Sequence, residues 1–563
     1  MATDEIQAET QAELRVERVR KETLGNVRLR HHETNKIILV PTPTTDPNDP
    51  LAWSYPYRVY VAVLVSCAIF FSNFLAAGPS VAIIDITTSF YGPPGPDFSA
   101  KIAKIAYFFT TTALLLGMGN LFWMPLIVKF GRRPAYVLSF CLYTATAAWA
   151  GAATSYGSSL AARIIMGFAA GAAECLAPLT ISDIFFLHER GAIMAIYTAA
   201  LSAGVGCGII IAGLIMINHS WRYIYWVSVA LIGTCTVLVI FAFPETEFNR
   251  AATLAGGGAV FDPDILAEGS LKEGLDPEGS LKEGLDPECV HTERKSRDSS
   301  TEPPKRLSYW QSLRIYSGVY TKEPFFKLFI RPVVMLTLPP VLWATLVMAV
   351  TIGFLVAITS NFASAFSEAY QFEAWQSGLC FIAAVIGAMI GAFFGGRFSD
   401  MVADFLTQRN GGVREPEMRL PAMMICLVTA PLSLVLYGVG IGQRLHWMVP
   451  TLGLAFLNFS IVQGTNVTLV YAIDAYRPVA GEITVTQLAF KSAFGFLLSF
   501  YTNPWIVESG YERAFGAMAG ISGAVIIFWF PMYIFGRRIR RATWSWGFIR
   551  RLAHWHEDRE VGE

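Results

Sequence analysis

The sequence contains little charge for its length. Only 15% of its 563 residues are Asp, Glu, Lys or Arg, whereas 53% are apolar, and the mean hydropathy is +0.45. Soluble globular proteins carry about a quarter charged residues, so this deficit excludes an ordinary soluble domain and indicates a membrane protein. The net charge is zero and therefore does not identify a class of partner. We expect no nucleic-acid partner.

Motifs of enzyme, nucleotide and metal chemistry are also missing. The chain has no Walker loop, no H-E-x-x-H motif and no C-x-x-C spacing, so we predict no ATP-driven transport, no enzymatic activity, no metal and no cofactor. Seven of the eight Cys lie in apolar stretches, which gives no disulfide framework. The first 50 residues are polar and lack an apolar signal-peptide core, so we expect no cleaved signal peptide.

The sequence is instead rich in long apolar stretches. Twelve of them have roughly the 20 residues that span a bilayer core as an α-helix. A soluble helical protein would need polar faces on these stretches, and they have none. We therefore predict an all-α membrane protein with twelve transmembrane helices. The spans, numbered 1 to 12, are predicted at 58–84, 104–127, 134–153, 159–183, 192–216, 222–243, 333–358, 375–396, 420–440, 447–472, 482–504 and 514–536.

A hydrophilic segment between spans 6 and 7 divides the spans into two groups of six. It contains the decapeptide GSLKEGLDPE twice, at 269–278 and 279–288, and we interpret this duplication as part of a tolerant linker. The 6 + 6 plan is that of secondary transporters, which hold substrate near the midplane between two six-helix bundles. The predicted division is an N-terminal arm at 1–52, expected to be disordered, a first bundle at 53–245, a cytosolic linker at 246–330, a second bundle at 331–538 and a tail at 539–563.

Cations mark the connections that follow the even-numbered spans. Because cytoplasmic connections are enriched in Lys and Arg, both termini are predicted to be cytosolic, and we expect the plasma membrane as the location. Asn218 begins a sequon after span 5 and is expected to be glycosylated on the extracellular side, whereas the sequons at Asn458 and Asn466 lie within span 10. The marking cations are Lys129, Arg132, Arg133, Arg190, Lys305, Arg306, Arg409, Arg414, Arg419, Arg477, Arg537, Arg538, Arg540 and Arg541.

The turn between spans 2 and 3, IVKFGRRPAYVL, resembles the loop signature of the major facilitator superfamily, G-x-L-a-D-r-x-G-R-R. The acidic position of that signature is occupied by Val128, and its first Gly by Met124. After span 8 the stretch GGRFSD keeps Gly396 and Asp400 of the same pattern. The matching residues of the turn are Lys129, Gly131, Arg132 and Arg133.

Further stretches extend the resemblance over about residues 53–540. Four of them look like the fungal branch of the drug–proton antiporter family: SDIFFLHERG (182–191), FPETEFNR (243–250), RNGGVREPEMRLP (409–421) and YAIDAY (471–476). RIIMGFAAG in span 4 is similar to an R-x-x-x-G signature. GVGCGIIIAG in span 5 is similar to the antiporter signature g-x-x-x-G-P-x-x-G-G, with Ile209 and Ala212 as departures. The resemblance implies a monomeric, proton-coupled exporter of a small organic molecule such as a secondary metabolite or drug. The matching residues are Arg163, Gly167, Gly204, Gly208 and Gly213.

Glu174 is the strongest candidate for a proton or cation site. Ionisable residues within a membrane are expensive and indicate function, and a carboxyl in a low-dielectric cavity can load and release a proton near neutral pH. Arg163 lies three helical turns away on the same face, with Gly167 and Gly171 between them. The alternative is a Glu174 that a neighbouring helix satisfies without transport chemistry.

Polar side chains of the second bundle form the predicted opposite wall. Thr484, Gln487 and Lys491 in span 11 fall at i, i+3 and i+7, on one helical face. For each amide the alternative is an interhelical hydrogen bond. Lys491 needs a partner or water within the membrane, or else it extends toward the cytoplasm. The remaining residues of the predicted pathway are Asn73, Asn458, Gln463 and Asn466.

Charged residues at the cytoplasmic ends of the spans are predicted to form a gate. Arg132 and Arg133 can pair with Asp183 or Glu189 at the end of span 4, in a contact that forms in one gate state only. The alternative is that the two arginines only anchor the turn on the cytoplasmic side. The other residues assigned to this gate are Lys129, Gly131, Asp400, Asp474 and Arg477.

Two other functions stay open. Glu174 also suits uptake of an organic cation such as a polyamine, or of another nutrient. A non-transporting nutrient receptor on the same fold is the second, although the residues after span 12 are few for a signalling tail. The predicted partners are a small-molecule substrate, protons and the lipid bilayer.

Overall fold

A computed structural model describes most of the predicted membrane domain. The described residues are 27–28, 44, 46–95, 97–248, 307–316, 318–321, 323–411, 413–476, 479–544 and 546–549. The duplicated decapeptide, Arg477 and most of the predicted arm and tail lie outside the described residues.

The first bundle is built from spans 1 to 6. Because lipid offers no hydrogen-bond partners, an apolar chain must satisfy its backbone internally as helix. Ser155 caps span 4, its side chain accepting a hydrogen bond from the Ser158 N–H. The helices are Tyr55–Ala77, which continues through the 3-10 turn Gly78–Ala82 into Ile83–Tyr91 (span 1), Phe98–Met118 and Asn120–Phe130 (span 2), Arg132–Ala152 (span 3), Tyr156–Ile184 (span 4), Leu187–Ile215 (span 5) and Arg222–Ala242 (span 6).

The second bundle follows after two linker helices, Tyr309–Ser312 and Phe325–Met335. The predicted boundary at residue 330 therefore falls inside a helix. The span helices are Pro339–Tyr370 (span 7), Ala374–Leu379, Phe381–Phe393, the π-helical Phe394–Phe398 and Ser399–Arg409 (span 8), Met423–Gly442 after the 3-10 segment Pro416–Ala422 (span 9), Met448–Ala475 (span 10), and Ala480–Ile526 with Trp529–Trp544 (spans 11 and 12).

The described residues contain eleven stretches long and apolar enough to cross a membrane, against twelve predicted spans. The difference arises at the last stretch, Ala480–Thr543, whose 64 residues would extend about 96 Å as one helix, roughly three bilayer cores. Gly510 breaks this stretch with a left-handed backbone, φ 77° and ψ 162°. Spans 11 and 12 therefore meet at a one-residue kink, and the all-α fold with twelve crossings is retained.

We call the face at which span 1 begins and span 12 ends the terminal face, and the opposite one the far face. A short antiparallel ladder joins Val27–Arg28 (β1) to Val413–Arg414 (β2) on the terminal face, with Val27 opposite Arg414. The arm predicted to be disordered thus includes one ordered pairing with the connection between spans 8 and 9. Asn218 is exposed in the connection between spans 5 and 6 on the far face.

The two bundles pack against each other through spans 2 and 11 and through spans 5 and 8. Glycine makes these contacts close: a Cβ on Gly206 of span 5 would lie 2.7 Å from Val385 of span 8. Within the first bundle, Gly167 and Gly171 lie against the backbone of span 2, and Gly204 and Gly208 against that of span 1. Gly213 instead faces Ala374 and Trp375 of the second bundle.

The glycine contacts lead to a prediction about the stability of the folded protein. A Cβ on Gly167 would lie 2.5 Å from the Thr112 carbonyl oxygen, so Gly167→Ala must push spans 2 and 4 apart. We expect a loss of about 1–3 kcal/mol in the free energy of unfolding and a lower Tm in detergent. The control is Gly233→Ala in span 6, where the nearest atom lies 3.9 Å away, in ordinary contact. Equal Tm values for the two variants would contradict this account of the crossing.

Candidate transport site

Glu174 and Lys491 form an ion pair between the two bundles. Glu174 lies in span 4 and Lys491 in span 11, and the Lys491 Nζ is 3.2 Å from both Oε1 and Oε2 of Glu174. Their side chains are only 1% and 3% exposed. Of the two alternatives left open for Lys491, the structure shows a partner within the membrane. If this buried ion pair separates, each charge must gain water or another polar partner, because an unpaired buried charge is strongly destabilising.

The pair lies on the wall of a central cavity of about 110 Å³ that both bundles line. Most of the lining is apolar, as in sites for small organic ligands, where a few polar groups fix orientation. Asn73 of span 1 is part of this wall, as predicted from the sequence. The other polar residues of the lining are hydroxyl-bearing: Ser80, Thr110, Ser202, Thr359, Ser360 and Ser492. Hydroxyls are too frequent in membrane helices for the sequence to have distinguished these six.

A second polar contact crosses between the bundles beside the cavity. The Ser202 hydroxyl of span 5 lies 2.8 Å from the Asn458 Oδ1 of span 10, to which it donates. The Asn458 amide also donates to the Leu454 carbonyl one turn earlier, which fixes its orientation. Asn458 therefore joins the bundles without itself lining the cavity.

The remaining predicted pathway residues lie away from the lining. Arg163 is fully buried and donates to three backbone carbonyls, those of Leu75, Ala76 and Phe108. Such contacts join spans 1, 2 and 4 and match the packing role of a buried guanidinium. Thr484 donates to the Ala480 carbonyl of its own helix.

The amides of spans 10 and 11 divide into two groups. Gln463 donates to the Ala422 carbonyl and Asn466 to the Gly395 carbonyl, so both form the interhelical hydrogen bonds given as their alternative. Gln487 is fully buried one turn from Lys491, and its amide has no hydrogen-bond partner among the described residues. Of the predicted pathway residues, Asn73, Glu174 and Lys491 meet at the cavity.

At the terminal face the predicted pairing of Arg132 with Asp183 is present. The Arg132 Nε lies 3.0 Å from Asp183 Oδ2 and its NH2 3.3 Å from Oδ1, a two-point contact between the start of span 3 and the end of span 4. Glu247 also contacts the Arg132 guanidinium. Arg132 and Asp183 belong to the first bundle, and Glu247 follows directly after it, so the contact links spans 3 and 4 at the terminal face.

Among the described residues no carboxylate forms an ion pair with the Arg133 guanidinium, which corrects the prediction for this residue. Arg133 is 1% exposed, and its guanidinium donates to the carbonyls of Ile240 and Phe243 at the end of span 6. Those carbonyls have no intrahelical partner because the helix ends there. A cation at this position therefore caps span 6.

Glu245, which follows the end of span 6, contacts this turn and was not predicted from the sequence. Its carboxylate accepts hydrogen bonds from the backbone N–H groups of Arg132 and Arg133, at 2.9 and 3.1 Å, and so caps span 3. Burial raises the pKa of Glu245, although these N–H groups and the Arg132 charge oppose the shift. Gly131 has φ 97° and leaves room for this carboxylate. A carboxylate from the end of span 6 thus reaches the turn in which Val128 replaces the acidic residue of the signature.

The other predicted gate residues have separate partners. Glu189 pairs with Arg58 at 3.2 Å rather than with Arg132 or Arg133, and Asp400 pairs with Arg414 and Arg419 at 3.3 and 2.7 Å. Asp400 also abuts Gly191 of span 5, and the Lys129 carbonyl accepts a hydrogen bond from the Tyr320 N–H. Asp474 is buried, and its predicted partner Arg477 is outside the described residues.

The family model described as the Major Facilitator Superfamily matches residues 61–484. The chain belongs to this superfamily. Proteins of this family are transporters of small solutes, and the chain is accordingly a multi-pass membrane transporter. Among solved structures, the proton:xylose symporter XylE has a TM-score of 0.56 at 14% identity, over 86% of this chain and 96% of that one. At this identity the likeness shows the fold alone.

Fungal relatives cover most of the chain. Protein HOL1 of Saccharomyces cerevisiae is 26% identical over 548 residues, 91% of each chain. An uncharacterised MFS-type transporter of Schizosaccharomyces pombe is 25% identical over 526 residues, 90% of this chain and 88% of the relative. The efflux pump FUB11 of Gibberella fujikuroi is 25% identical over 422 residues, 75% of this chain and 66% of the relative. This major facilitator thus resembles both named exporters and proteins whose names specify no direction.

Proposed function

We propose that this major facilitator exports a small organic molecule in exchange for protons, by alternating access of the cavity between its bundles. The buried Glu174–Lys491 pair carries the proposal, because it is a titratable contact that both lines the cavity and joins the bundles. The names of relatives such as the efflux pump FUB11 support export. We place the protein in the plasma membrane with its terminal face cytosolic.

Protonation of Glu174 is the proposed coupling step. A proton removes the carboxylate charge and weakens its attraction for the Lys491 ammonium, so the contact between spans 4 and 11 loosens. The cost of leaving Lys491 unpaired in a dry site is several kcal/mol, so water must reach the ammonium as the contact opens. Opening of one face follows from this requirement, and proton release restores the pair.

Exchange follows if substrate and proton compete at Glu174. A substrate that offers a cationic or hydrogen-bonding group to the carboxylate requires the deprotonated form. Proton binding converts Glu174 to its neutral form, so the substrate and the proton bind in turn and not together. The apolar remainder of the cavity holds the body of the substrate, and Asn73 and the hydroxyls orient it.

Uptake of an organic cation is the second candidate, favoured by the same carboxylate on the cavity wall. It differs from the first proposal in the direction of net flux and in whether protons move with the substrate.

The sign of a pH change distinguishes the two. Purified transporter is reconstituted in proteoliposomes containing a pH-sensitive dye, and a panel of radiolabelled organic compounds is added outside. For a compound that enters by proton exchange, we expect the lumen to become more alkaline. Entry together with protons would acidify the lumen and favour uptake. Entry of the label without any pH change would contradict proton coupling in either direction.

A further inference from the structure

The segment from residue 307 to 326 exposes an unusual amount of apolar surface for a part of the chain that the sequence assigns to a hydrophilic linker. Seven of its large apolar residues are each more than half exposed, Trp310 at 72% and Phe326 at 71%. Scattered exposed apolar residues are normal, but a contiguous group indicates an interaction site. We call this group the 307–326 surface; it consists of Leu307, Tyr309, Trp310, Ile315, Tyr316, Val319 and Phe326.

The 307–326 surface lies at the ends of membrane spans. The Tyr309 hydroxyl donates to the carbonyl of Phe241, in the last turn of span 6. The Tyr316 ring lies 6.2 Å from that of Phe130, at the end of span 2. Both ends belong to the terminal face, so the segment follows the edge of the first bundle at that face.

The same surface is continuous with the lipid-facing side of the spans. Phe241 has a side chain that is 56% exposed, and Phe122 of span 2 is 42% exposed where its ring meets Phe325 at 5.8 Å. Side chains exposed on the outside of membrane spans face acyl chains. The 307–326 surface therefore extends a surface that already faces lipid.

We propose that the 307–326 surface inserts into the boundary between headgroups and acyl chains of the leaflet at the terminal face. Trp and Tyr are the residues that membrane interfaces favour, since each combines an apolar ring with a polar group. The exposed Arg314 beside them suits the phosphates of that layer. Ser308 and Gln311 form a capping box, which satisfies the backbone at the start of the Tyr309–Ser312 turn before it meets lipid. A protein partner is disfavoured because it would have to compete with the adjacent bilayer for this surface.

Fluorescence quenching in a bilayer tests the proposal. The full chain is placed in nanodiscs of phosphatidylcholine or of its 6,7-dibromo form, and the emission of Trp310→Phe is subtracted from that of the unmodified protein to isolate one of the 14 Trp. We expect the brominated lipid to quench the Trp310 signal. Because Trp310 is largely exposed, Phe at this position should leave folding unchanged.

Trp226 supplies the reference, because it is 47% exposed within span 6 and faces lipid. Its signal is isolated in the same way with Trp226→Phe. Bromolipid quenching of Trp310 that reaches about half that of Trp226 or more supports insertion. Bromolipid quenching below half that of Trp226, together with quenching of the Trp310 emission by aqueous iodide, would overturn the proposal. It would indicate a surface for a soluble partner. Neither outcome depends on substrate or on proton coupling.

Discussion

Replacing Glu174 by Gln should abolish proton-driven transport while the protein still reaches the membrane. The amide keeps the shape of the carboxyl group but cannot exchange a proton at physiological pH, so it cannot open and close the contact with Lys491. In the proteoliposome assay we expect no substrate-induced pH change above background. Proton flux equal to that of the unmodified transporter would eliminate Glu174 as the coupling residue.

The single variant also leaves an ammonium without its counter-charge. Removing one member of a buried ion pair costs about 3–5 kcal/mol, so a lower Tm is expected for Glu174→Gln. This loss of stability must be separated from the loss of coupling. The matched control is the double variant Glu174→Gln with Lys491→Met, in which neither charge remains.

The double variant should regain much of the lost stability but no proton flux. Replacing both members of a buried pair by neutral groups of similar size is often nearly neutral for stability. If coupling returned together with stability, the defect of the single variant would be one of folding. Uncoupled entry of labelled substrate into the double variant would instead show that the pair serves coupling and is dispensable for alternating access.

The fold follows from local features of the sequence. Each span is a run of apolar residues whose length matches the bilayer, and this property needs no knowledge of distant residues. The structure has eleven apolar stretches instead of twelve because spans 11 and 12 meet at Gly510, a single residue with a left-handed backbone. The polar residues on either side of this glycine, from Glu508 to Arg513, predict a break between two spans, but they do not reveal whether a loop or a kink forms it.

The site depends on contacts between distant residues. Glu174 and Lys491 are 317 positions apart, and Ser202 and Asn458 are 256 apart, so no local pattern pairs them. Single-residue reasoning identified Glu174 because a carboxyl within a span is rare. The same reasoning does not identify Ser202, because a hydroxyl can bond its own helix at little cost.

The burial of individual cations could not be predicted from the sequence. Arg540 was counted with the cations that orient the chain, yet it is buried and bonded to Glu417 at 2.7 and 2.9 Å. Arg133 likewise caps backbone carbonyls. Charge near a span end predicts which side of the membrane the end occupies, but not whether the side chain reaches water or a buried partner.

In the turn between spans 2 and 3, two adjacent arginines have different partners: Arg132 binds a carboxylate, and Arg133 binds backbone carbonyls. Arg132 holds Asp183 through two hydrogen bonds, which Lys cannot reproduce because it lacks the planar guanidinium. Charge-assisted hydrogen bonds contribute about 1.5–3 kcal/mol, and 1.4 kcal/mol is a factor of ten in an equilibrium. We therefore expect Arg132→Lys to lower the transport rate on the order of tenfold at equal expression.

The cause can be assigned with a double-mutant cycle. Asp183→Asn should give a similar loss, and the combined variant should lose little more, because both changes remove one contact. Strictly additive losses would show that Arg132 acts through Glu247 or another group.

Arg133→Met serves as the matched comparison at the neighbouring position. It should lower the free energy of unfolding by about 1–3 kcal/mol, because the carbonyls of Ile240 and Phe243 then lack a buried donor. The transport rate per folded molecule should change little. If instead Arg132→Lys lowers stability and Arg133→Met lowers only transport, then the roles assigned to the two arginines must be exchanged. The adjacent positions thus provide a test in which burial, rather than charge, decides which arginine serves transport and which serves the fold.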